Sequence, residues 1–95
     1  MYFDPVKTEA ATGVFKAIAH PLRLKIVEYL DKKPNAFVNE IYKALNLEQS
    51  ITSQHLKILK SANLVFAKRN GKYIEYSLNY ELISHIVALN TSFAK

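Results

Sequence analysis

The chain has 95 residues, 49% of them hydrophobic, with thirteen Lys and Arg against eight Asp and Glu, a formal charge of +5, and no cysteine. That length suits one domain, residues 1–95, with a modest core and little left over for a catalytic module. The absence of cysteine excludes disulfides, thiol switches and thiolate metal centres, while the positive balance favours a polyanionic partner wherever the cations cluster. No apolar run reaches the roughly 18 residues that span a bilayer. Met1-Tyr2-Phe3-Asp4-Pro5 lacks the basic flank and apolar core of a signal peptide, so a cytoplasmic protein with no membrane partner is expected.

Thr8 to Ala19 reads as a first helix, with Thr8 as cap and Ala10, Ala11, Val14, Phe15, Ala17 and Ile18 on a broad apolar side. His20-Pro21 breaks it and starts a second helix, because the missing donor of proline is harmless at the first helical position. That helix runs to Lys32 with Leu22, Ile26, Val27 and Leu30 inward, and Pro34 ends it. Asn39 is expected to cap a short third helix, Glu40 to Leu45, which closes on Asn46 in a left-handed conformation. A fourth helix, Gln49 to Ser61, is expected to turn Ile51, Leu56 and Leu59 inward with help from Ile58. Asn63 repeats the role of Asn46 at its end. Two short helices joined by a tight turn, over residues 39–61, make a helix-turn-helix.

After Leu64 the period changes from 3.6 to 2, and residues 64–78 read as a hairpin wing. Asn70-Gly71 signals a type I′ turn, which places Arg69 opposite Lys72, Ala67 opposite Ile74 and Val65 opposite Tyr76. Val65, Ala67, Ile74 and Tyr76 then share the face that covers the helices. Asn79 suits the cap of a last helix, residues 80–93, whose apolar positions Leu82, Ile86, Leu89 and Phe93 step by four, three and four. This stripe is wider than a small monomer needs at its end. Together with Val14 and Phe15 it predicts a homodimer joined by the terminal helices, 8–19 and 80–93.

Function concentrates in the fourth helix and the wing. Ser50, Thr52, Ser53 and Gln54 are the short polar residues that a recognition helix presents to base edges near its N-terminus. Lys57 and Lys60 stand further along, where phosphates lie. Gln54 suits a two-pronged contact to adenine. Lys68, Arg69 and Lys72 gather at the hairpin tip, where a minor groove or a phosphate backbone would meet them. The bland alternative for all of these is a solvated, charged surface; their succession in one stretch argues against it. Arg23 and Lys25 are weaker phosphate candidates. His20, His55 and His85 are too dispersed for a local metal motif; His55, beside Leu56, is expected half buried with a phosphate contact open to it. No nucleophile–base–acid set and no glycine-rich phosphate loop appears, so no enzyme, metal or cofactor is expected.

Three stretches carry a resemblance: Phe15 to Ile26 around His20-Pro21-Leu22-Arg23; Asn39-Glu40-Ile41 through Ser53-Gln54-His55-Leu56-Lys57-Ile58-Leu59; and Asn63-Leu64-Val65 through Tyr76-Ser77-Leu78. In these the chain resembles the ArsR/SmtB family of bacterial transcription regulators over nearly its whole length. The resemblance implies a mainly helical fold with a small β-hairpin, a winged helix-turn-helix dimerising through its terminal helices. It also implies a homodimeric repressor that binds imperfect palindromes in promoters. Many members release DNA on binding a metal, through cysteines near the third helix or through Asp, His and Glu on the last. Here the matching third-helix stretch, Phe37-Val38-Asn39-Glu40-Ile41, has no cysteine, and the last-helix positions hold Tyr80, Leu82 and the region of Phe93. Neither usual metal site is therefore expected, which leaves an unknown small-molecule or protein effector. Glu48 stands where the family commonly has a small capping residue. Two other readings compete: a protein-interaction module on the same scaffold, and a ligand sensor with an atypical site.

Overall fold

The computed structural model describes residues 16–85. Residues 16–18 are helical, and the chain turns through Ala19 and His20 into α1, Pro21–Lys32. His20 caps this helix by accepting the Leu22 N–H on Nδ1 at 3.1 Å, and Pro21 opens it as expected. Ile26 and Leu30 are its buried residues, with Val27 and Tyr29 packed at the margin of the core. Asn35, at φ 64, then swings the chain into β1, a two-residue strand Ala36–Phe37.

The next helix, α2 (Val38–Ala44), begins two residues before the expected Glu40, and its cap is Phe37 rather than Asn39. The cause is Glu40. Its Oε1 reaches back to accept the Phe37 N–H at 3.0 Å, and its other oxygen pairs with Lys33. A carboxylate at the third helical position satisfies a free donor and sits at the positive end of the helix dipole, so no polar cap is needed. Asn39, now inside the helix, accepts the Glu40 N–H instead.

Helix α3, Gln49–Ser61, has the bounds expected of it. Both α2 and α3 end on left-handed asparagines, Asn46 (φ 56) and Asn63 (φ 62). In each the asparagine N–H and the following N–H turn back onto the last carbonyls. Asn46 bonds Lys43 and Leu47 bonds Tyr42, while Asn63 bonds Lys60 and Leu64 bonds Leu59. This Schellman pattern directs Leu64 into the core that Leu59 also fills.

Strands β2 (Val65–Asn70) and β3 (Tyr73–Leu78) form the wing, and β1 adds to the free edge of β3, giving an antiparallel sheet in the order β1-β3-β2. The register departs from expectation by two residues: Asn70 faces Tyr73, Ala67 faces Tyr76 and Val65 faces Leu78. The loop is Gly71-Lys72, and Gly71 alone has positive φ, at 66, the pattern of a type II′ turn. A slip of two preserves the alternation, so Val65, Ala67 and Tyr76 keep their expected face. Leu78 joins them on it and Ile74 is left largely exposed. The core closes between that face and the helices, from Ile26, Leu30, Ala36, Ile41, Leu56, Leu59, Leu64, Val65 and Leu78. The fold is a winged helix-turn-helix, mainly helical with a small antiparallel wing.

Asn79 caps the last helical segment, residues 80–85, accepting the Leu82 N–H on Oδ1 at 3.2 Å. Leu82 and Ile83 pack against the core. Of the residues expected at a dimer interface only Leu82 is described; Val14, Phe15, Ile86, Leu89 and Phe93 lie outside the described residues.

Candidate nucleic-acid interface

Helix α3 turns Thr52, Leu56 and Leu59 into the core. The opposite side is a stripe of Ser50, Gln54, Lys57 and Ser61, spaced by four, three and four and all exposed. Ser53 and Lys60, seven apart, flank the stripe on one side, and Ile51 and Ile58 flank it on the other. Thr52 therefore departs from expectation. It is 0% exposed, and its hydroxyl donates to the Glu48 carbonyl at 2.9 Å, so it cannot reach a base edge. The reason is the 3.6-residue period: Thr52 lies four before Leu56 and seven before Leu59, on the same face. Ile51 and Ile58, expected inward, are 37% and 42% exposed for the same reason. Glu48, at the cap position of α3, makes no side-chain capping bond there.

At the wing, Lys68 stands directly across from Glu75, which partly offsets its charge. Arg69 bends over the turn, its Nε donating to the Gly71 carbonyl at 3.3 Å, and Lys72 lies in the loop itself. The exposed positive charge of the wing thus sits at its tip. Tyr73 packs its ring against Phe37 at 5.5 Å between centroids, which braces the wing against the start of α2. Sequence reasoning missed this contact, because β1 is too short to leave a periodic signal.

It also missed the partner of His55. This half-buried ring lies 4.6 Å from that of His20, so the dispersed histidines at the head of α1 and in the middle of α3 meet. His55 Nδ1 and the nearby Arg23 Nε are both buried without a hydrogen-bond partner. Burial, with added repulsion from His20 and Arg23, holds His55 below the ordinary histidine value of 6.5. The folded chain then binds fewer protons than the unfolded chain between those two values, so stability falls as pH drops through about 6.5. The melting temperature is expected to be lower at about pH 5.5 than at about pH 7.5, and His55→Gln should shrink that difference. Melts of both proteins at the two pH values check this; equal pH dependence in the two would refute it. Glu40, held low by Lys33 and the Phe37 N–H, loses its share only as pH falls below the ordinary 4.5, outside that window.

Among the described residues no three His, Asp or Glu side chains come together in a way that could hold a metal ion. Tyr80 instead braces the fold, its hydroxyl donating to Asp31 Oδ1 at 2.9 Å and tying the last helical segment to α1.

The profile of the family described as "Bacterial regulatory protein, arsR family" matches residues 20–66. The transcriptional regulator YgaV of Escherichia coli is 34% identical over 80 residues, covering 84% of this chain and 81% of that one. The chain belongs to the arsR family. A second relative, the transcriptional repressor SmtB of Mycobacterium tuberculosis, is 39% identical over 79 residues, which cover 83% of this chain and 58% of the repressor. The chain thus spans little more than half the length of that relative. Among solved structures, a homodimeric winged helix-turn-helix DNA-binding domain from Mycobacterium bovis superposes with a TM-score of 0.79 at 29% identity, covering 94% of this chain and 82% of that one. The family is one of regulators, not enzymes.

Proposed function

We propose that this arsR-family chain is a sequence-specific regulator of transcription that binds double-stranded DNA as a homodimer and represses from an imperfect palindrome. The observation that carries it is the exposed stripe Ser50, Gln54, Lys57 and Ser61 on α3, followed at once by a wing tipped with Arg69 and Lys72. Short polar groups at the head of a helix and cations beyond them are what base edges and phosphates require. In this reading Ser50, Ser53 and Gln54 approach bases. Lys57, Lys60, Lys68, Arg69 and Lys72 meet phosphates, with Lys68 weakened by Glu75. The relatives support it: SmtB is a repressor, and the Mycobacterium bovis domain is a DNA-binding homodimer. The dimer interface proposed is Val14, Phe15, Leu82, Ile86, Leu89 and Phe93, from their apolar spacing. No helix among the described residues is long and apolar enough to cross a membrane, which fits a cytoplasmic site of action. An effector, small molecule or protein, remains part of the proposal without a site.

Salt dependence tests it. Each cation on a phosphate adds about one unit to the slope of log affinity against log salt, since it displaces condensed counterions. Lys57→Ala and Lys72→Ala should each weaken binding to all duplexes and flatten the slope by about two units, one per protomer of a dimer. Fluorescence anisotropy across a salt series measures this. Unchanged affinity and slope in both variants would favour the protein-interaction reading instead.

A further inference from the structure

A recognition surface made only of serines, glutamine and lysines has no means of sensing an apolar group, yet α3 carries one exposed apolar residue at its reading end. Ile51 is the third residue of the helix, 37% exposed, and from the flank it neighbours Gln54, three residues on in the outward stripe. The core does not need it: Thr52, Leu56 and Leu59 fill the inner face, and Ile51 is outside that cluster. Its first-turn position is where a recognition helix comes nearest the base edges.

The major groove presents one apolar group, the C5-methyl of thymine. Gln54 has the donor and acceptor pair that matches the N7 and N6 of adenine. An adenine read by glutamine has thymine as its partner, and neighbouring A·T pairs bring further methyls to the same groove wall. We propose that Ile51 is a specificity-determining residue that packs on a thymine methyl, beside an adenine read by Gln54, so that each half-site contains an A·T step under the first two turns of α3. This rests on the DNA-binding reading above and adds the identity of the bases.

The test begins by selecting bound duplexes from a random pool, then replaces each thymine of the enriched half-site in turn with deoxyuridine, which pairs identically and lacks only the methyl. Wild type should lose about fourfold in affinity per half-site at one thymine, the effect of returning one methyl-sized group to water. Ile51→Ala should bind thymine and deoxyuridine duplexes equally, while keeping its fold by circular dichroism and its salt slope. Ile51→Val should retain part of the discrimination. The proposal is overturned if no thymine is sensitive in wild type, or if Ile51→Ala keeps the full sensitivity. In both cases the DNA-binding reading stands. A pool in which no sequence is enriched sinks that reading and this one together.

Discussion

Leu59→Ala is expected to cost about 2–5 kcal/mol of stability and to lower the melting temperature by at least about 10 °C. Leu59 is fully buried and sits where α3 meets the core residues of α1, α2 and the wing. Truncating it removes apolar contacts and leaves a hole that the fixed ends of α3 resist closing, since its last turn is held by the Asn63 and Leu64 amide bonds. Small domains have only about 5–15 kcal/mol in hand, so the loss is a large fraction of the whole. Ile58, the preceding residue, provides the control. At 42% exposed it fills no part of the core, and Ile58→Ala should change stability by about 0.5 kcal/mol or less. Urea unfolding of the three proteins settles it: equal losses in the two variants would mean that the register of α3 is wrong.

Gln54→Ala is the second large effect, on recognition rather than folding. Gln54 is exposed in the middle of the outward stripe, so its removal should leave the melt unchanged. Losing a two-pronged contact to a base costs roughly 1–3 kcal/mol per half-site, hence about 2–6 kcal/mol for a dimer on a palindrome. Binding to random duplexes should hardly change, because phosphate contacts supply nearly all of it. The expected signature is thus a collapse of the ratio between specific and random affinity at constant salt slope. Anisotropy with a selected duplex and a scrambled one measures that ratio. A Gln54→Ala protein with an undiminished ratio would show that bases are read elsewhere.

The helices were legible because their signals are local. Pro21 and Pro34 bracket α1, and Asn46 and Asn63 mark the left-handed ends of α2 and α3 whatever surrounds them. The start of α2 was misjudged because Asn39 is a better cap than Phe37 in isolation, and only the contacts of Glu40 reverse the choice. The wing register failed for a related reason: Asn70-Gly71 fits a type I′ turn, but Gly71-Lys72 fits type II′, and both preserve the buried face. Within the candidate site, Ser50, Ser53, Gln54, Lys57 and Lys60 lie on the outward side as read, whereas Thr52 and Ile51 exchange places. A polar residue on the core face and an apolar one on the open face defeat any reading that equates polarity with exposure. The meeting of His20 with His55 depends on how α1 packs on α3, which no spacing along the chain encodes.

Asn79 has a consequence for how far a signal can travel. Its side chain caps the last helical segment through the Leu82 N–H and bonds the Asn63 carbonyl at the end of α3, and its own N–H bonds the Leu64 carbonyl. One residue therefore belongs mechanically to both the last helical segment and α3. A ligand that displaced the C-terminal helix could alter DNA affinity through this joint only by breaking or straining those bonds, each worth about 0.5–1.5 kcal/mol net. Three such bonds limit the allosteric coupling carried by Asn79 to about 1.5–4.5 kcal/mol, roughly a 10- to 2,000-fold change in affinity, and thermodynamic linkage makes it act equally in the reverse direction. An operator duplex would tighten the grip on such a ligand, or loosen it, by the same factor.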